Sequence, residues 1–526
     1  MNESAGEKLW KRRAQTALGN RRSDFHFSHS FNNNKLDDRN HFLQNAKTSV
    51  ASLRRLITPT RNADHDQPGT LIIFIGIRKT QHELDFVDIN PNRDIPVYLN
   101  PFVFAARSDP FSIDASRVVV GFFQHNLTLI KEGNVDGARA NFQHLNEPNE
   151  TCLGQSRHRP RGRGIGNDNA EDLFESILNS EAMKTGLVEH LEDTTIFIPG
   201  IRRDKVSDMT TNIIRENLIR YTQQECELLG IPFTANVPSG FFWDIESMSW
   251  QQEHTAMLVI NHKRILLVPK AVVSYVKEFD ASKYHRHHAL EFLQEDHLRC
   301  NTRLVQVRYR KNGSIRRRFV TKKDLIKEEL PADKELLANF TKKYPAIFAD
   351  FRKSAAAKVQ ALSNSEFEEI DVDKLIDHLI SKLRALKEGN KDAGAYHALM
   401  VGILEFIFYP NLINPVKERE IDAGRKRIDI SFDNGAPTGG FFYRLQNTFG
   451  IPCPYIFFEC KNYTEDVANP ELDQMTGRFS PNRGKFGVIV CRSIEDKALF
   501  LQCQRSSESV FFRTLAGNIK HISICA

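Results

Sequence analysis

Apolar positions along the chain change spacing several times, and each change marks an element. From Leu71, TLIIFIGI is an unbroken apolar run of the kind a buried strand makes. ELDFVDI and DIPVYLNPFVF read as two further strands around the turn-forming NPNRD. AEDLFESILNSEAM then shows the i, i+3, i+4 spacing of an amphipathic helix, with Asn169 as its cap. MTTNIIRENLIRYTQQECELLG is another helix, stopped by Gly230. HTAMLVINHKRILLVPKAVV reads as two strands with a polar turn at Asn261 to Lys263, and LVQVRYRKNGSIRRRFV as a hairpin turning at Asn312-Gly313. Helical patterns follow from Asp324 to about Ala357, and again in VDKLIDHLISKLRALKEGN, which ends at Gly389 and Asn390.

Beyond Asp392 the pattern alternates. A helix (AYHALMVGILEFIFY) precedes two strands (RKRIDISF, YIFFECKN), then a helix (PELDQMTGRF), a strand (KFGVIVCR) and a helix (EDKALFLQCQ). Strands alternating with helices predict an α/β unit, a central mixed sheet flanked by helices. Two polar stretches, residues 1–70 and 144–169, break up the chain before it. The expected organisation is therefore a polar, poorly ordered extension (1–70), an α+β region (71–150), an α+β region with the hairpin (170–365) and the α/β domain (366–526).

Composition narrows the classes. A chain of 526 residues with 40% hydrophobic and 26% charged residues has material for several cores. It contains no eighteen-residue apolar run and no apolar stretch after its basic N-terminus, so neither a membrane span nor a secretory signal is expected. Eight cysteines include no CxxC pair, which speaks against a disulfide framework or a zinc ribbon and suits a reducing cytoplasm. A net charge of +6 permits a polyanionic partner without requiring one.

The chemistry-bearing residues gather in the last third. Asp429 lies in RIDISF and Glu459 in FFECK; on neighbouring strands both carboxylates reach one end of a sheet. With the backbone carbonyl of Cys460 they make an all-oxygen site, which suits Mg2+, with Mn2+ as an alternative. Lys461, two residues after Glu459, shares its face and is placed to orient a metal-bound water. Glu405 sits among Leu404, Ile407 and Phe408, where a lone carboxylate is costly unless paired or coordinating. Gln474 follows on the next helix. A single Glu-x-Lys at a strand end is usually a surface ion pair; the ordered series of Glu405, Asp429, Glu459-Cys460-Lys461 and Gln474 on helix, strand, strand and helix is harder to meet by chance.

Over residues 392–505 this series resembles the PD-(D/E)XK nuclease superfamily, the restriction-endonuclease-like fold. The stretch EREIDAGRKRIDISFDN…ECKNYTEDVANPELDQMTGRFSPNRGKFGVIVCR also resembles nucleases of bacterial anti-phage defence loci. The resemblance implies magnesium on Asp429 and Glu459, Lys461 supporting the attacking water, and Glu405 and Gln474 assisting. It implies an endonuclease acting on DNA, with RNA as the other candidate substrate. A homo-oligomer and a partner protein from the same locus belong to the same expectation. Two departures stand out: Ile428 replaces the proline of the motif, and RSSESVFFRTLAGNIKHISICA is unlike the usual closing segment. A catalytically inactive scaffold that keeps the fold is the competing class, whereas no GxxxxGK[ST] points to an ATP-driven motor.

Charge also clusters elsewhere along the chain. Arg308, Arg310, Lys311, Arg316, Arg317, Arg318, Lys322 and Lys323 put eight cations into sixteen residues, either a nucleic-acid contact or a solvated face. Arg425, Lys426 and Arg427 are phosphate contacts or a charged edge that discourages strand pairing. Glu418, Glu420 and Asp422 read as a solvated charged strand or turn, with Glu420 a substitute for Glu405. RPRGRGIG reads as a basic loop, His285, His287 and His288 as surface histidines, and Asp85, Asp88 and Asp94 as an acidic turn.

Overall fold

The computed structural model describes residues 70–154, 167–275, 278–421, 425–465, 467, 469–492, 512–515 and 521–525. The protein is mixed α/β with several small sheets and one larger one. One apolar cluster takes residues from Leu71 to Leu362 and a second from Leu375 to Val490, so the segments 71–150 and 170–365 share a core.

The first half is mostly helical. Helix α1 (Arg215–Leu229) ends where expected, because Gly230 adopts the left-handed conformation (φ 69°) that closes a helix. It packs on a three-stranded antiparallel sheet of β1 (Thr234–Pro238), β2 (His254–Ile260) and β3 (Lys263–Ile265). Three expectations fail here, the first being ELDFVDI, which makes no strand: Gln81–Glu83 form a tight helical turn and Phe86 only an isolated bridge to Pro269. Leu71–Phe74 form a single helical turn, not a strand, with Ile73 67% exposed. Asn100 caps a short helix Pro101–Ala105 in place of the strand expected through PVYLNPFVF, leaving only Tyr98–Leu99 extended. A short apolar run does not by itself distinguish helix from strand, and here the Asn-Pro start selected the helix.

After helix α2 (Leu290–Cys300) the predicted hairpin forms from β4 (Gln306–Tyr309) and β5 (Ile315–Phe319), with Gly313 at φ 79° in the turn. Helix α3 (Val372–Ala385) begins at Asp371, whose carboxylate accepts from Lys374 N at 3.2 Å, and buries Leu375, Ile376, Leu379, Ile380 and Leu383 as one stripe. Helix α4 (Ala393–Phe408) follows, apolar nearly all round and correspondingly buried.

The large sheet contains β6 (Leu412–Ile421), β7 (Lys426–Asn434), β8 (Tyr455–Lys461), β9 (Gly487–Cys491), β10 (Phe512–Leu515) and β11 (His521–Cys525), in the order β6-β7-β8-β9-β11-β10. Strands β6, β7 and β8 are antiparallel neighbours; β8 and β9 run parallel, joined through helix α5 (Asn469–Thr476). Alternation sends Ile456, Phe458, Val488 and Val490 to the face covered by α3 and α4, and Phe457, Ile489 and Cys491 to the face covered by Met475 of α5. The KERE stretch is thus a paired edge strand, in which Glu418 and Glu420 face Arg427. The closing segment contributes strands to the sheet; the helix expected over EDKALFLQCQ, RPRGRGIG and Asp422 lie outside the described residues.

Candidate active site

Pairing between β7 and β8 stops at Ile430 opposite Phe458. One residue further along each strand stand Asp429 and Glu459. Where the ladder opens, the Asp429 carboxylate takes the place of a strand: its Oδ2 accepts the Cys460 N–H at 2.9 Å. The Cys460 carbonyl is satisfied from another direction, accepting from His397 Nε2 of α4 at 2.9 Å. Since a carbonyl can only accept, that ring nitrogen carries the hydrogen. His397 Nε2 also lies 4.0 Å from Asp429 Oδ2. Both polar backbone groups of Cys460 are therefore held by side chains, while β9 keeps the other edge of the strand in register.

Glu459 is fully buried, and neither carboxylate oxygen has a hydrogen bond. Two cations face it. Lys461 Nζ lies 3.2 Å from Oε2 and donates to Gln474 Oε1, also at 3.2 Å. The Arg478 guanidinium contacts Oε1. Burial pulls Arg478 down from its ordinary value while the nearby Asp429 charge holds it up, so the guanidinium lies close to both carboxylates. Burial, with Asp429 adding to it, pushes the Cys460 thiol well above its ordinary value, which leaves it an inert packing group. The strand end beyond Lys461 is fastened: Asn462 donates to Lys387 O at 3.0 Å and Gly389 O at 2.8 Å and accepts from Arg492 at 2.7 Å.

Of the residues expected at the site, Asp429, Glu459, Cys460, Lys461 and Gln474 come together. Glu405 does not. Eight residues further along α4 than His397, it sits about 12 Å away along the helix axis. There its Oε1 meets Lys270 Nζ at 3.1 Å, both side chains sealed from solvent. Lys270 also donates to Asn364 Oδ1 at 2.9 Å and lies 3.9 Å from the Tyr409 ring centre. Burial pulls the Lys270 amine down and pushes the Glu405 carboxyl up to about 8. Asp85 belongs to the same seam, not to an acidic turn: it accepts from Tyr221 Oη at 2.7 Å and Asn414 N at 3.0 Å. Glu405 has the partner that a buried carboxylate needs, but that partner is a lysine 135 residues upstream and not a metal. The Cys460 carbonyl, expected as a metal ligand, already serves His397.

Two residues at the site escaped the sequence reading. His397 carries no signal of its own in AYHAL. Arg478 lies four residues after Gln474, the spacing that brings side chains to one helical face, and could have been suspected. Among the basic residues, Arg427 pairs with Glu420 at 2.9 Å and Lys426 donates to Gly477 O at 2.9 Å; Arg425 is exposed beside them. Of the three histidines, His285 is buried, bonded to Leu330 O at 2.9 Å, while His287 is exposed and His288 packs on Phe351.

Two carboxylates and no third protein ligand form a sparse donor set. Among the described residues no group of three or more His, Cys, Asp or Glu is disposed to hold a metal. Two hard oxygen donors do fit Mg2+, which keeps several waters and borrows substrate oxygens. Among the described residues no helix is long and apolar enough to cross a membrane.

Residues 76–280 match the family described as Domain of unknown function (DUF8370). No curated protein and no solved structure matches the chain. The matched segment contains Asp85 and Lys270 of the buried seam, and both the hairpin and the carboxylate site lie beyond it.

Proposed function

We propose that the chain is a metal-dependent endonuclease that hydrolyses phosphodiester bonds in DNA at Asp429, Glu459 and Lys461. The observation that carries this reading is the buried Glu459 carboxylate, met among the described residues only by cationic side chains, beside Asp429 where β7 and β8 part. A buried carboxylate is costly unless cations offset its charge; Lys461 and Arg478 do so here, and a bound metal would do the same. The order of helix α4, three antiparallel strands, helix α5 and a parallel strand supports the restriction-endonuclease-like arrangement.

Asp429 and Glu459 would hold the magnesium ion, which would supply a more acidic water and offset charge on the scissile phosphate. Lys461, fixed between Glu459 and Gln474, orients the attacking water and donates to the phosphate. His397 keeps the Cys460 peptide in place. A cut through both strands with one such site per chain takes two copies. Restriction or anti-phage defence is the setting this reading suits, in the cytoplasm, with a further protein of the same locus as partner.

A second reading has its own observation. Arg478 and Lys461 already neutralise Glu459, as in a protein that keeps the fold as a scaffold and cuts nothing. Plasmid and linear DNA incubated with the full chain in magnesium, manganese or EDTA separates the two. The nuclease reading expects metal-dependent cleavage that Glu459→Ala and Lys461→Ala each abolish in protein that circular dichroism shows to be folded. Cleavage that survives either substitution takes the reaction away from this site, and no cleavage with either metal leaves the scaffold.

A further inference from the structure

Every residue from Gln306 to Arg318 is exposed, so the β4–β5 hairpin buries neither face. A free two-stranded hairpin is marginal in water, and strands of a folded domain normally bury one side. This one is also electrostatically awkward. Arg308 stands directly opposite Arg317, a like-charge pair that opposes pairing. Arg308, Arg310, Lys311, Arg316, Arg317 and Arg318 make no ion pair with a carboxylate among the described residues, although many other surface cations do.

The hairpin is nonetheless firmly built. Its tip closes through Arg310 N to Ser314 O at 2.8 Å and Ser314 Oγ to Asn312 Oδ1 at 2.7 Å. Its root is tied to the body by Gln306 Nε2 to Asp324 Oδ2 at 2.8 Å, by Gln294 bonding Val320 O, and by burial of Val320. A stiff, doubly exposed ribbon with uncompensated cations needs anions on more than one side.

We infer that this hairpin is a groove-binding arm for double-stranded B-form DNA, seated in the major groove between the two phosphate walls. Strand alternation places Arg308 and Arg317 on one face and Arg318, opposite Val307, on the other, with Arg310 and Lys311 at the tip. The major groove, about 12 Å wide and 8.5 Å deep, admits a two-stranded ribbon; the minor groove, about 6 Å wide, does not. The deep, narrow major groove of A-form RNA excludes it as well. A single strand would lie along one face and stack on aromatic rings, and Tyr309, 62% exposed, is the one exposed aromatic the ribbon offers. The contacts are to phosphates, so the arm gives duplex affinity and register more than base readout.

The inference deepens the DNA-cleavage reading, and the two fail separately: cleavage is scored on Glu459 and Lys461 variants with magnesium, whereas binding is scored on the wild-type full chain in EDTA. Fluorescence anisotropy would use a 24-base-pair DNA duplex, its single strand and the matching RNA duplex, between 50 and 200 mM salt. The wild type should bind the DNA duplex at least tenfold more tightly than either alternative. R308Q/R317Q/R318Q should lose at least tenfold, with the slope of log affinity against log salt falling by about 2.7 for three lost phosphate contacts. R308K/R317K/R318K should stay within threefold of wild type, and R310A/K311A at the tip should lose at least threefold. Equal duplex binding by the glutamine variant overturns the assignment. So does single-stranded DNA, duplex RNA or polyglutamate binding as tightly as the DNA duplex.

Discussion

Glu405→Ala removes half of a pair whose other half, Lys270, has no exposed surface. At 3.1 Å and an effective dielectric of about 20, the attraction between full charges is about 5 kcal/mol. Burial opposes it, driving both groups toward neutrality, so most of that attraction goes to offset desolvation. Alanine leaves Lys270 with Asn364 Oδ1 and the Gln81 carbonyl, and opens a void in the packed face of α4. The expected loss is about 3–5 kcal/mol. With a urea slope of about 3 kcal/mol/M, the denaturation midpoint falls by ~1 M or more. Lys270→Met combined with Glu405→Leu replaces the pair by apolar groups of similar volume and should stay within about 2 kcal/mol of wild type. The double-mutant cycle should then return a coupling of about 2 kcal/mol or more. Because the pair stands away from the carboxylate site, the double variant should also cleave DNA at the wild-type rate. A Glu405→Ala protein with an unchanged midpoint and no cleavage would refute this account and return Glu405 to the catalytic group.

Arg478→Ala should lower stability by about 3 kcal/mol without metal, and magnesium should recover part of it as a larger rise in melting temperature than wild type shows. A rise no larger than wild type's counts against competition between guanidinium and metal for the same carboxylates. His397→Ala, which frees the Cys460 carbonyl, should cut the cleavage rate about 3- to 10-fold, in line with about 1 kcal/mol for one hydrogen bond; His397→Gln, keeping a donor, should restore it. Burial, reinforced by Glu147, Asp204 and Asp94, pushes the Asp208 carboxyl up to about 8. The folded state then keeps a proton that the unfolded chain releases near pH 4, so this contribution is complete below about pH 4 and is lost as pH rises through about 8. Asp208→Asn should flatten the fall in melting temperature between pH 5 and 8, and an unaltered slope would exclude Asp208 as its source.

What could be read from the sequence followed the range of the signal. The Asn312-Gly313 turn, the Gly230 helix stop and the Glu459-x-Lys461 strand end are local, and each forms as its few residues dictate. Asp429 and Glu459 could be brought together because successive strands tend to pair. Glu405 could not be placed, since its partner Lys270 is set by the packing of one core on the other. The KERE stretch reads as strand or turn because its charges mask the alternation of an edge strand, and those charges pair across β6 and β7. TLIIFIGI misled for the opposite reason: an unbroken apolar run has no period to read.

Cys460 gives the site a reporter of its own. Its amide hydrogen points at the Asp429 carboxylate and not at a neighbouring strand. Any cation that draws on that carboxylate weakens one identifiable hydrogen bond, shifting a single backbone resonance and changing its exchange with solvent. Occupancy of the site could therefore be followed at one amide, before any substrate is known and whether or not a bond is ever cut.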